Sequence, residues 1–425
     1  MKNKEIQGID LQLYSKTLDN GLQIYIVPFS NVNNTYVTYS TKYGGINNEF
    51  IPINEKEKVK VPLGIAHFLE HKMFESEGET DIFNFFQESG SNCNANTSNR
   101  KTSYLFSGPN AFYENLEFLL KYVEEPYFTD SNVQKEKGII EQEIKMYQDN
   151  PYSRMYEGLM FNTFINHPLK YPTIGTKESI YSITKENLYT CYNTFYHPSN
   201  MFIIVTGNVD PEKTMEVIEK HENKRKIKKI SLNNNMIKIN EPDKVEKEEE
   251  IIKMDVTLPK LAVAFKINIT KLKMNENDIY QVLLNAVDLK IGTTSLFTEE
   301  LRNLELITDT FDVTGVKAED HLVIIVDTET NYPEKVFDLL MEELSDLNIK
   351  EQEFNRRKKT GISGLLFASD NIFRINSKLA SDIMERGNID YSPIKTIKEI
   401  TYEDLEYIIK NISLKNYSKI FVLPE

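Results

Sequence analysis

Apolar and polar residues alternate on both sides of the turn signal Asp19-Asn20-Gly21, which predicts strands over 12–18 and 22–28, with another over 35–42. The period then lengthens. "LGIAHFLEHKMF" predicts a helix over about 63–74, and a second is expected over 81–88. Strands over 91–97 and 102–107 follow, then helices over 112–124 and 131–148. Strands and helices in unequal blocks favour an α+β fold over a regularly alternating parallel sheet.

Two patterns recur in the second half of the chain. "ITKENLYTCYNTFYHPSNMFIIVTG" from Ile183 is echoed by "ITYEDLEYIIKNISLKNYSKIFVLPE" from Ile400, an offset of 400 - 183 = 217 residues. Each reads as a capped helix leading into a buried strand. Upstream, "LEFLLKYVEEPYFTDSNVQKEKG" from Leu116 is echoed by "VFDLLMEELSDLNIKEQEFNRRKKTG" from Val336. Two echoes in the same order predict two homologous α+β domains from an internal duplication, each an antiparallel-rich sheet packed with helices. Apolar density falls and charge rises between Asp210 and about Ile251. The expected division is 1–225, a charged linker over 226–250, and 251–425.

Composition removes several alternatives. A net charge of -14 and a pI near 5.2 argue against nucleic-acid binding, which needs a clustered excess of Lys and Arg. The one basic run, "KHENKRKIKK" from Lys220, is short and is followed by "EKEEE", so it reads as a solvated connection. No window approaches the run of about 18 apolar residues that a membrane span requires. The start lacks the apolar centre of a signal peptide, which leads to the expectation of a cytoplasmic protein. Two cysteines, Cys93 and Cys191, cannot build a disulfide framework or a thiolate cluster, and reduced thiols are expected.

The chain has six histidines, and His67 and His71 stand four apart with Glu70 between them. On a helix these three project together, while Ile65, Phe68, Leu69 and Met73 cover the other faces. Such a helix is buried. Two imidazoles and a carboxylate placed there without partners would cost several kcal/mol, on the order of the usual penalty for buried polar groups. They either bond one another or hold a divalent metal, for which Glu70 would be the base acting on water.

A catalytic zinc takes three protein ligands, so one more is required. In "SNVQKEKGIIEQEIKMYQDNP", Val133, Ile140, Ile144 and Tyr147 form one side of an apolar arc, and Ile139 and Met146 the other. Glu136 and Glu143 fall between them, seven apart, and should point into the core toward a cation or toward a buried Lys or Arg. Glu143 as a ligand, and Glu136 as an acid bonded to a ligand His or to the base, would fill these needs.

"HFLEH" followed 143 - 71 = 72 residues later by Glu143 resembles the inverted zinc motif of the pitrilysin, insulinase and mitochondrial processing peptidase family, particularly its half-length bacterial members. "NGLQIYIVP", "GSNCNANTS", "HPLKYPTIGT" and "FYHPSNMFIIVTGNVDP" are similar to that family as well. The resemblance implies one Zn2+ per chain held by His67, His71 and Glu143, with Glu70 as general base and Glu136 in support. It also implies that Asn94 and Ala95 hold an extended peptide by main-chain pairing on an edge strand.

No second H-x-x-E-H occurs, so 251–425 is expected to be a non-catalytic copy. His321 reads as a strand-end residue, and His167 and His197, each before a proline, read as structural. In the family an Arg and a Tyr of the second half contact substrate; here Arg302 is present, but Thr308 stands where Tyr is expected. Half-length members pair around a closed chamber. The resemblance therefore implies a dimer acting on small peptides or unfolded segments, and the missing Tyr points to a sister subunit that lacks the zinc motif. The competing expectation is a peptide-binding or assembly subunit of the same fold without turnover.

Overall fold

A computed structural model of the chain describes residues 1–78, 81–231, 239–308 and 311–425. The strands are β1 (Lys2–Ile6), β2 (Leu11–Thr17), β3 (Gln23–Pro28), β4 (Thr35–Thr41), the short pair β5 (Glu49–Phe50) and β6 (Val59–Lys60), β7 (Asn92–Thr97), β8 (Thr102–Gly108) and β9 (Met201–Gly207) in the first half. The second half adds β10 (Glu249–Met254), β11 (Lys260–Asn268), β12 (Asp312–Ala318), β13 (His321–Glu329) and β14 (Tyr417–Pro424). The helices that matter most for the site are α1 (Ile65–Lys72), α2 (Ile82–Glu88), α3 (Phe112–Glu124), α4 (Asp130–Asp149) and α5 (Pro151–Thr163).

The seven-stranded sheet runs β1-β2-β3-β9-β4-β8-β7, and the five-stranded sheet runs β10-β14-β11-β13-β12. The duplication is visible in that order. β9 is parallel to β3 and antiparallel to β4, and β14 stands in the same way to β10 and β11. Both sheets therefore follow one winding, first-last-second-fourth-third, with two extra strands added at the β3 edge of the larger one. The echoed helices also match: Lys185–Phe195 and Tyr402–Asn411 begin with capping boxes at Thr184 and Thr401 and lead into β9 and β14.

All seven residues of β9 are buried, which requires cover on both faces of the sheet. One face packs on α1, α2, α3 and the helix Lys185–Phe195 through Ile24, Val37, Tyr39, Phe68, Leu69, Phe106 and Leu120. The other face is covered by the helix Ile372–Arg386, whose Ile375, Leu379 and Ile383 meet Leu13, Val27 and Ile204. Asn376 ties it down, accepting from Thr38 Oγ1 at 2.8 Å and donating to the Ile204 carbonyl at 3.1 Å.

That helix comes from the other half of the sequence, and the reciprocal loan occurs in the second sheet. There α5 packs against β11 and β14, with Gly158 close to Ile420. The compact units are accordingly discontinuous. The first comprises Met1–Ile144, Pro172–Lys238 and Gly364–Ile394; the second comprises Lys145–Tyr171, Ile239–Ser363 and Lys395–Glu425. A contiguous division at 225 and 251 does not describe them. The charged stretch beginning at Asp210 is also more ordered than a linker: Pro211–Arg225 is a helix that buries Thr214, Met215, Ile218 and Glu222. Residues 232–238 of the expected linker lie outside those described, and β10 begins at Glu249 within it.

Among the described residues no helix is long and apolar enough to cross a membrane, and Cys93 and Cys191 are free thiols.

Candidate metal centre

α1 starts at Gly64, where φ is 82° and a Cβ would lie 2.3 Å from the Ile174 carbonyl oxygen. Only glycine meets both conditions, and it sets the helix against the 174–175 turn. Ile65, Phe68 and Leu69 then face the core, which turns His67, Glu70 and His71 to the remaining side.

His67 and His71 lie with ring centroids 4.6 Å apart. Glu143 reaches across from α4, with Oε1 3.7 Å from His67 Nε2 and Oε2 3.5 Å from His71 Nε2. One ligand atom from each of the three lies within 4.8 Å of the others. These separations are too long for hydrogen bonds, so the three groups converge without satisfying each other. They suit a cation, because bonds of about 2.1 Å in a tetrahedral shell put neighbouring ligand atoms about 3.4 Å apart. His67 Nδ1 is buried with no partner among the described residues, so the ring is not committed to another hydrogen-bond role there.

The protonation state of His67 points the same way. Burial, reinforced by the neighbouring His71, pushes the His67 pKa down to about 3, leaving a neutral imidazole with a lone pair to donate. Burial is the largest influence on His71 and works against a charge there, but the hydrogen bond to Glu136 and the charges of Glu136, Glu143 and Glu70 together outweigh it, and the pKa is raised. That bond joins Nδ1 to Glu136 Oε1 at 3.0 Å and leaves Nε2 for the shared centre. Glu70 is 8% exposed, and burial raises its pKa despite a 2.5 Å hydrogen bond from Thr97 Oγ1 to Oε2.

The structure thus brings together His67, Glu70, His71, Glu136 and Glu143. One feature of α4 differs from the expectation, and a second combines both of its alternatives. Val133, Ile140 and Ile144 are buried, but Ile139 and Met146 stand 48% and 60% exposed and Tyr147 is exposed as well, so the apolar arc has only one side. Glu136 also has two kinds of partner: besides His71, the wholly buried Lys72 places Nζ 3.9 Å away. Lys72 bonds Glu75 at 2.6 Å and the Asn132 carbonyl at 3.3 Å, linking α1 to the start of α4.

β7 is an edge strand, bonded among the described residues to β8 alone. Asn94 and Ala95 sit in its middle, and the Ala95 amide donates to Asn94 Oδ1 at 2.8 Å. Thr97 and Lys72 were not singled out by their residue types. The only sequence signal for Thr97 is its place two and four residues beyond Ala95 and Cys93, on the half-buried side of the strand.

The other four histidines have structural partners, and His221 Nε2 lies 2.6 Å from Glu124 Oε2. His167 and His197 cap short turns, accepting at Nδ1 from Leu169 N and Ser199 N. His321 opens β13 and bonds Asp243 at 3.0 Å. Arg302 and Thr308 are exposed residues of the second unit.

A duplicated α+β chain with an inverted zinc motif on one copy defines a metallopeptidase-type fold. A model described as Insulinase (Peptidase family M16) matches residues 54–177, and one described as Peptidase M16 inactive domain matches 182–360. The chain belongs to this family. The uncharacterized zinc protease YmfH of Bacillus subtilis (strain 168) is 36% identical over 427 residues, covering 96% of each chain. Zinc protease PqqE of Helicobacter pylori is 27% identical over 215 residues, 49% of this chain and 46% of that one. Among solved structures, an Alicyclobacillus acidocaldarius chain described as an M16-like peptidase superposes with a TM-score of 0.91 at 28% identity, covering 98% of this chain and 99% of the other. A Helicobacter pylori protease shares the fold, with a TM-score of 0.79 at 22% identity over 97% and 99% of the two chains.

Proposed function

We propose that this protein is a zinc-dependent endopeptidase that binds one Zn2+ per chain and cleaves small peptides or unfolded segments. The observation that carries the reading is the convergence of His67, His71 and Glu143 beside a buried carboxylate, Glu70, that makes no ion pair among the described residues. A fold-only subunit has no need of such a base. The relatives named as zinc proteases support the choice of metal and reaction class.

His67 and His71 through Nε2, and Glu143 through its carboxylate, would hold the ion. Bound zinc supplies Lewis-acid polarisation of the scissile carbonyl and a lower pKa for water. Glu136 keeps the proton of His71 on Nδ1, away from the ligand position. Glu70, whose pKa burial moves up toward the working range of a general base, takes the proton of the attacking water and returns it to the leaving nitrogen. The free edge of β7 would hold the peptide in extended form, with its carbonyl displacing the Asn94 side chain from the Ala95 amide.

The half-length chain and Thr308 support a dimeric chamber, with a sister subunit supplying the substrate-holding residues. The test is metal content together with cleavage of a quenched peptide library, with and without chelator, alone and with candidate sister subunits. Chelator-sensitive cleavage is expected. A chain that binds zinc and cleaves nothing under any of these conditions is a binding or assembly subunit instead. Recovery of an active homodimer alone would overturn the sister-subunit part.

A further inference from the structure

Thr97 ends the edge strand β7, opposite Thr102 on β8, and the following turn is closed by Ser98 N donating to the Lys101 carbonyl at 2.8 Å. Along β7 the side chains alternate: Asn92, Asn94 and Asn96 are exposed, while Cys93, Ala95 and Thr97 are half-buried. The strand therefore presents its free edge along its length and one hydroxyl toward α1. That hydroxyl has two oxygens in reach, Glu70 Oε2 at 2.5 Å and Thr102 Oγ1 at 3.3 Å.

Counting protons decides between them. Thr102 gives its own proton to the Tyr43 carbonyl at 3.0 Å, so between the two threonines only Thr97 can donate. Its single proton goes to the nearer and charged acceptor, since a bond to a carboxylate is the shorter and stronger kind. One carboxylate oxygen of Glu70 is thereby pinned to the strand, and Oε1 is left for the proton in transit.

We propose that Thr97 is a positioning residue that fixes the carboxylate of Glu70 for proton transfer, so that the strand expected to hold substrate also aims the base. This rests on the peptidase reading above. No bond to metal or substrate is required of Thr97, so its role separates from binding.

The experiment compares Thr97→Val, which keeps the shape and removes the hydroxyl, with Thr97→Ser, in the zinc-loaded full-length protein together with whatever partner activity requires. Removal of an orienting partner of this kind costs about 10- to 100-fold in kcat. KM and zinc per chain should stay unchanged in Thr97→Val, and Thr97→Ser should restore most of kcat. A crystal structure of zinc-loaded Thr97→Val supplies a reading without turnover: Glu70 should leave its wild-type rotamer. Full kcat in Thr97→Val, an unmoved Glu70, or loss of zinc in step with activity would each overturn the proposal. If the wild type cleaves nothing, the peptidase reading fails, while the Glu70 rotamer still decides the role of Thr97.

Discussion

His71 and Glu136 meet across two helices, with Nδ1 3.0 Å from Oε1. The carboxylate decides which ring nitrogen carries the proton and so which one faces Glu143. Glu136→Gln keeps the shape but turns an anionic acceptor into a neutral amide beside buried Lys72. Zinc affinity is expected to fall about 10- to 100-fold, as for other partners of ligand histidines. Competition with a chromophoric chelator measures it, and an unchanged affinity would remove Glu136 from the site.

Glu70→Gln should separate binding from chemistry. Glu70 is not among the three groups that converge, so the variant is expected to hold zinc at the wild-type ratio. Loss of the base should reduce kcat by about 100-fold or more, within the usual range for general-base removal. Metal analysis and peptide cleavage on the same sample give both quantities. Normal cleavage would show that another group takes the proton.

Glu143→Ala tests the third ligand independently of turnover. The side chain is 24% exposed and its neighbours Ile140 and Ile144 supply the buried face of α4, so the fold should survive. The metal should not. Zinc is expected to dissociate on dialysis, and the added thermal stability that zinc gives the wild type should disappear, since a ligand stabilises only the state that binds it. Melting temperatures with and without zinc report this directly.

Most of this site was legible because α1 and the buried part of α4 obey local rules. Helical spacing puts His67, Glu70 and His71 on one face, and seven residues separate Glu136 from Glu143 on another. The strands and helices expected over 12–148 were legible for the same reason, whereas β1, β5, β6 and α5 were not expected. What stayed hidden depends on neighbours distant in sequence. Periodicity gives Ile139 the same standing as Ile140, and only the packed surroundings decide that one is exposed and the other buried. The domain division was hidden similarly, because nothing local to Ile372–Arg386 marks it as the cover for β4 and β9. Thr97 and Lys72 act through contacts that span 27 and 64 positions, to Glu70 and Glu136, and neither residue type announces such a role.

The last prediction concerns the second unit, where Lys266 and Glu241 form a buried pair with side chains 0% and 4% exposed. Lys266 Nζ also donates to the Thr163 and Lys244 carbonyls, and Glu241 accepts the amides of Ile165, Asn166 and His167. Burial alone would raise the Glu241 pKa, but the bonds from Lys266 and these amides outweigh it and hold the carboxyl below its ordinary range. A folded pKa below the unfolded one adds stability that is present above the unfolded value of about 4.3 and lost as pH falls through the folded value. Glu241→Ala leaves Lys266 buried without its counter-charge and should cost about 3 to 5 kcal/mol at pH 7. The acid-dependent share of stability should shrink in the variant, so the difference between variant and wild type narrows as pH drops below about 4. Urea unfolding at several pH values checks both statements, and a variant whose loss is the same at pH 7 and pH 3 would show that the pair contributes by packing alone.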